Sequence, residues 1–196
     1  MASPRQLTRA DILPPADYAR DRSAHRRRIS EEKRRRRVEV GPFATFYFEN
    51  YRTMWHQVHE MLFIERGGEA QIADELDAYN PLIPKGDELV ATVMFEIDDP
   101  RQRETALARL GGVEDRMFIT VGGARVQGVA DPTRENSTAD GKASSVQFLR
   151  FPLTAAQKAR FRTPGTQILV GIDHANYGHM AVMPEAVRAA LAQDLA

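Results

Sequence analysis

Apolar and polar positions change period several times along this chain, and each change marks an element. Between Asn50 and Arg66 the apolar residues Trp55, Val58, Met61, Leu62 and Ile64 recur at near-helical spacing, which predicts a helix with one buried stripe. Asn50 or Thr53 caps it and Gly67-Gly68 stops it. Glu69–Ala78 predicts a second helix, ended by Asn80-Pro81, and Pro100–Leu110 a third. Upstream, a long polar helix starts near Ala16 after Pro14-Pro15 and is broken by Gly41-Pro42.

Strand patterns fill the spaces between. Phe43–Phe48 is aromatic-rich, and Leu89–Ile97 alternates with β-branched residues. Met117–Val121 and Ala124–Ala130 flank Gly122-Gly123, the chain's clearest hairpin signal. Val146–Phe151 and Gln167–Ile172 predict two more strands, with a short helix from Thr154 between them. Asp131–Ser145 is polar and predicts a mobile loop. Pro184–Leu195 closes the chain as an amphipathic helix through Val187, Leu191 and Leu195. Hairpins and helices without strict βαβ alternation predict an α+β fold, a mainly antiparallel sheet with packed helices. At 196 residues the chain suits one domain with an arm: a basic helical arm over 1–40 and a single α+β domain over 41–196.

Charge changes the picture at one place. Lys plus Arg and Asp plus Glu both number 27, yet ten of the basic residues and only three of the acidic ones lie between Arg20 and Arg37. Such a run suits a nucleic acid or an acidic protein, with Arg34, Arg35, Arg36 and Arg37 as the partner-binding candidates. A solvated helix is the competing reading. Glu31 precedes Arg35, and Glu32 precedes Arg36, by the four residues of a helix-surface ion pair. The absence of Cys excludes disulfides, thiolate metal sites and cysteine nucleophiles. No run is apolar enough for a membrane span, and Met1–Arg5 lacks the core of a secretory signal, so cytoplasm is the expected location.

Candidate chemistry falls in two clusters holding four of the five histidines. His56-Gln57-Val58-His59-Glu60 places two imidazoles and a carboxylate on one helical face, donors that suit Zn²⁺, Fe²⁺ or Mn²⁺. It matches neither H-E-x-x-H nor H-x-x-E-H. Asp173-His174-Ala175-Asn176-Tyr177-Gly178-His179 follows a strand, a common position for accessible side chains on a rigid scaffold. Glu60, Glu65, His174 and His179 together would make a reasonable divalent-metal site. Equally, Asp173 and Tyr177 would fix a tight turn. No phosphate loop, dinucleotide fingerprint or nucleophile elbow is present.

Three segments resemble a bacterial domain-of-unknown-function family, numbered thirty-five-oh-one. They are Gln57–Glu65 with Glu75–Pro84, Phe148-Leu149-Arg150-Phe151, and Asp173-His174 with Tyr177 and His179. The resemblance spans nearly the whole chain. It places Gln57, Glu60, Met61, Glu65, Asp173, His174 and His179 on the family pattern and leaves His56 and His59 as particulars of this chain. That favours Glu60, Glu65, His174 and His179 as ligands of iron, manganese or zinc. The resemblance also implies rubrerythrin-like and iron–sulphur proteins as partners, and hence an accessory role in redox or peroxide metabolism. A non-catalytic interaction module docking through the arginine helix is the alternative reading, and a nucleic-acid binder the third.

Overall fold

The computed structural model describes residues 4–134, 136–138 and 141–196. Among these described residues six α-helices and nine strands follow in the order α1 (Pro15–Arg34), β1 (Arg37–Val40), β2 (Ala44–Phe48), α2 (Tyr51–Glu65), α3 (Glu69–Tyr79), β3 (Glu88–Phe95), α4 (Pro100–Leu107), β4 (Met117–Val121), β5 (Ala124–Gln127), β6 (Val129–Ala130), β7 (Val146–Pro152), α5 (Ala155–Arg162), β8 (Ile168–His174), β9 (Tyr177–Val182) and α6 (Glu185–Leu191). The α+β class stands.

The strands form two antiparallel sheets, ordered β1-β2-β3-β7-β6 and β5-β4-β8-β9. Their facing sides share one core, in which Phe46, Phe48, Val93 and Phe151 meet Ile119, Ile168 and Val170. Leu107, Phe161 and Leu191 bring α4, α5 and α6 into the same core. The outer face of the five-stranded sheet carries Val90 and Phe148, against which Met54 and Val58 of α2 and Ile72 of α3 form a second cluster. Strand β3, with Leu89, Ala91 and Val93 in the first cluster and Val90 in the second, is thus covered on both sides, which explains why its burial is almost continuous rather than alternating.

Three local features depart from the pattern. The basic helix ends at Arg34, and Arg37–Val40 pairs with β2 from Arg37↔Tyr47 to Val40↔Ala44. Its alternation of exposed and buried residues is a half-buried strand hidden behind an arginine run. Second, the segment after β8 turns and comes back as β9, with Ile172↔His179 in register. Third, the described part of Asp131–Ser145 is tied down. Thr138 N–H donates to Lys142 O at 2.8 Å, and Ala143 is 2% exposed within the main core. Glu135, Ala139 and Asp140 of that segment lie outside the described residues.

Between β5 and β6 the chain passes from one sheet to the other at Gly128. A Cβ there would stand 2.9 Å from Met117 O and 3.0 Å from Leu149 and Phe151 side-chain atoms, so the crossing needs a residue without one. No described helix is long and apolar enough to cross a membrane.

Candidate functional site at the seam of the first two helices

Helix α2 is positioned by its ends. Asn50 accepts from Thr53 N–H at 2.9 Å while Thr53 Oγ accepts from Asn50 N–H, a reciprocal cap. At the other end Arg66 takes a left-handed conformation, φ 58° and ψ 31°, before Gly67-Gly68. Helix α1 lies along α2, and the seam between them is aromatic. Tyr18, His25, Trp55, His59 and Phe63 make successive ring contacts, the closest being Trp55 and His59 with centroids 3.9 Å apart.

Among the described residues, the buried polar atoms of this seam are partnered with one exception. Glu60 accepts from the Tyr18 hydroxyl at 2.7 Å and from Arg22 Nε and Nη2 at 2.9 and 2.7 Å. The guanidinium and then the phenol hold its carboxyl down, to about 2, while burial and the neighbouring carboxylate push the Tyr18 phenol up. His59 Nε2 lies 3.0 Å from Leu13 N–H, so it must accept, and Nδ1, 2.7 Å from Trp55 O, must donate. The ring is therefore neutral, and burial lowers its pKa. His56 Nε2 is the exception: it is buried and has no partner among the described residues. Burial takes its pKa down to about 4. It lines a hollow of about 420 Å³ with Arg28, Glu32 and Arg52.

The remaining sequence candidates sit elsewhere. Glu65, at the exposed end of α2, accepts from Gln71 at 2.7 Å, and Gln57 reaches Tyr79 Oη at 3.5 Å. Asp173 and His174 line a separate hollow of about 520 Å³ with Asp115 and Arg116. There Asp173 faces Arg125 at 3.4 Å, and His174 lies between Gly111 O and Asn176 N–H. His179 packs edge-on against Tyr177 at 4.6 Å. Glu60 and Glu65 thus belong to the helical layer, and His174 and His179 to the four-stranded sheet on the opposite side of the five-stranded one. The four do not gather, and among the described residues no group of three or more His, Asp or Glu could hold a metal ion.

Tyr177 fixes something larger than a tight turn. Its hydroxyl accepts from Phe43 N–H at 2.8 Å and Ala44 N–H at 2.9 Å, and donates to Val40 O at 2.8 Å. One buried oxygen ties β9 to the β1–β2 turn. Nothing in the sequence linked positions 177 and 40–44.

The arginine run also divides. Arg36 is 4% exposed and donates to Phe48 O, Glu49 O and Asp194, so it is a structural cation rather than part of a docking surface. Arg37 lies on β1, 3.4 Å from Glu39. The expected pairs of Glu31 with Arg35 and Glu32 with Arg36 do not form. Glu32 instead accepts from Asn50 at 2.6 Å and faces Arg52 at 3.7 Å. Arg26, Arg27, Arg28, Arg34 and Arg35 are exposed and have no ion pair among the described residues. Sequence spacing anticipated the run but missed which cations stay free, because Asp194 lies at the far end of the chain.

These features define a two-sheet α+β protein with a basic helix and an imidazole-rich aromatic seam on its helical side. The chain belongs to the family described as "Protein of unknown function (DUF3501)", whose profile matches residues 6–195. It is similar to a crystal structure of a protein of unknown function from Burkholderia pseudomallei K96243. The identity is 41% and the TM-score 0.90, over 97% of this chain and 100% of that one. Comparison with curated proteins gives no match.

Proposed function

We propose that this protein is a non-catalytic interaction module that docks an acidic partner protein through the outer face of α1. The observation that carries this reading is the set of five exposed arginines without an internal ion pair, in a chain whose overall charge is zero. Arg27 and Arg34, and likewise Arg28 and Arg35, are seven residues apart. They therefore repeat on one face about 10 Å apart along the axis. A patterned field of this kind steers encounter and fixes orientation more than it adds affinity. The hollow beside it, with the unpartnered His56 nitrogen, Arg28 and Arg52, offers a polar anchor point within the same surface. Rubrerythrin-like and iron–sulphur proteins, implied by the family resemblance, are the first partners to try.

The test is titration of the intact protein with a rubrerythrin-like protein and, separately, with a DNA duplex, each at two salt concentrations. The quadruple variant Arg27→Glu, Arg28→Glu, Arg34→Glu, Arg35→Glu is the control. Protein binding that falls at least tenfold in the variant, with its melting temperature kept, supports the reading. Binding of the duplex alone, with the steep salt dependence of counterion release, would replace it with the nucleic-acid reading. Binding of neither would defeat both.

A further inference from the structure

At the opposite end of the α1–α2 seam, the segment before α1 crosses over α2 and α3 and encloses a cavity of about 560 Å³, within the range of small-molecule sites. Its floor is aliphatic and aromatic: Ile12, Tyr18, His59 and Ile72 are buried, with Leu62 and Phe63 beside them. The polar groups around it are almost all committed. The Tyr18 hydroxyl is held by Glu60, and both His59 nitrogens are used. Arg9 at the rim is forked onto Glu69, with Nη2 at 2.7 Å from Oε2.

One charge is left over. Arg66 lines the cavity and is exposed, and its guanidinium has no hydrogen-bond or ion-pair partner among the described residues. It is also the one non-glycine described residue with a positive φ, in a region costly for a side chain with a Cβ. Two glycines, which adopt that conformation freely, follow it directly. The backbone of Arg66 closes α2, its N–H donating to Leu62 O at 3.1 Å, while the long cationic side chain at the cavity is left without a use in the fold.

We propose that this cavity binds a small monocarboxylic acid with an apolar body. The body lies among Tyr18, Leu62 and Ile72, and the carboxylate meets the planar guanidinium of Arg66, which matches it through two parallel hydrogen bonds. A single uncommitted cation selects a single negative charge, and the apolar floor rejects a free inorganic anion. This site uses none of the arginines of α1, so it stands or falls separately from partner docking.

Trp55 is the chain's one tryptophan, and its ring contacts His59 at 3.9 Å and Tyr18 at 6.0 Å, both on the cavity floor. Its fluorescence is therefore a built-in reporter. The full chain is titrated with decanoate, decanol and inorganic phosphate, with calorimetry in parallel. Saturable one-to-one binding of decanoate, at least tenfold tighter than decanol, is expected, with no response to phosphate. Arg66→Gly should weaken decanoate at least tenfold while keeping or raising the melting temperature, since the strain is relieved. Ala16→Phe, at an exposed wall position, should block decanoate without unfolding the chain. Equal binding of decanoate by Arg66→Gly, or no saturable binding by the native protein, would overturn the proposal. So would a signal that appears only with phosphatidylglycerol vesicles, which would mean a lipid surface instead.

Discussion

Glu60 is the residue on which the seam turns. Its carboxylate joins two helices through Tyr18 and Arg22, with side chains only 14% and 27% exposed for Glu60 and Arg22. Glu60→Gln should therefore cost about 1–3 kcal/mol in denaturant unfolding, because the half-buried guanidinium loses its charged acceptor. A double-mutant cycle with Arg22→Gln checks that the loss belongs to the pair. The pH dependence follows from the two shifts. His56 titrates near 4 in the folded chain instead of 6.5, so the unfolded chain takes up that proton first. Its contribution is complete above about pH 6.5 and is lost as pH falls toward 4. Glu60, lowered from 4.5 to about 2, contributes fully above about pH 4.5 and loses that contribution as pH falls toward 2. Stability should fall in two successive acid stages; His59, whose pKa burial also lowers, adds to the first, so His56→Gln should reduce that stage and leave the second unchanged. A variant with the native acid profile would show that the imidazole is not the group responsible.

At the scale of elements, Gly41 and Tyr177 carry the sharpest expectations. Gly41 has φ 68°, and a Cβ on it would stand 2.6 Å from the His179 ring and 2.9 Å from the Tyr177 hydroxyl. Gly41→Ala should destabilise by at least about 2 kcal/mol through strain and overlap together. Tyr177→Phe, which takes the acceptor from the buried Ala44 amide and the part-buried Phe43 amide, should cost about 2–3 kcal/mol; thermal unfolding of both variants tests this. Elements whose signals are local were legible: the Asn50 cap, the α2 stripe, the two-glycine hairpin and the Pro184 helix start. β1 was masked because its Val38 and Val40 follow directly on the arginine run. β9 was masked because Gly178, His179 and the preceding Asn176 read as a loop. Pairing with β8, not composition, makes that segment a strand. The candidate site was half legible for the same reason. Glu60 stood out as a carboxylate among apolar residues, but Arg22 and Tyr18 lie about forty residues upstream. His174 and His179 belong to a different layer altogether.

Taken whole, the molecule divides its charge between buried pairs such as Arg36 with Asp194 and the exposed arginines of the basic helix. The exposed arginines at positions 26, 27, 28, 34 and 35, on α1 and its C-cap, make no ion pair among the described residues, so no contact of theirs holds the helix in place. Reversing Arg27, Arg28, Arg34 and Arg35 should leave the melting temperature unchanged within about 3 °C, the scale of exposed ion pairs. A large drop would mean the helix depends on those cations for its own packing. The segment before α1 is different. Leu7 is 1% exposed and its backbone N–H donates to the Asn80 side chain at 2.7 Å, across seventy-three positions of sequence. Leu7→Ala should cost about 2–4 kcal/mol and should open the cavity roof before the sheets melt, seen as a Trp55 fluorescence change preceding loss of β-sheet circular dichroism.

The Tyr177 hydroxyl has a mechanical meaning as well as an energetic one. It bonds to three backbone groups of another sheet, so the two layers cannot slide past each other without breaking all three contacts at once. Amide exchange at Phe43 and Ala44 is then a gauge of shear between the layers. In the native protein those two amides should exchange only as slowly as the sandwich comes apart, although they sit beside a surface turn that would otherwise fray quickly.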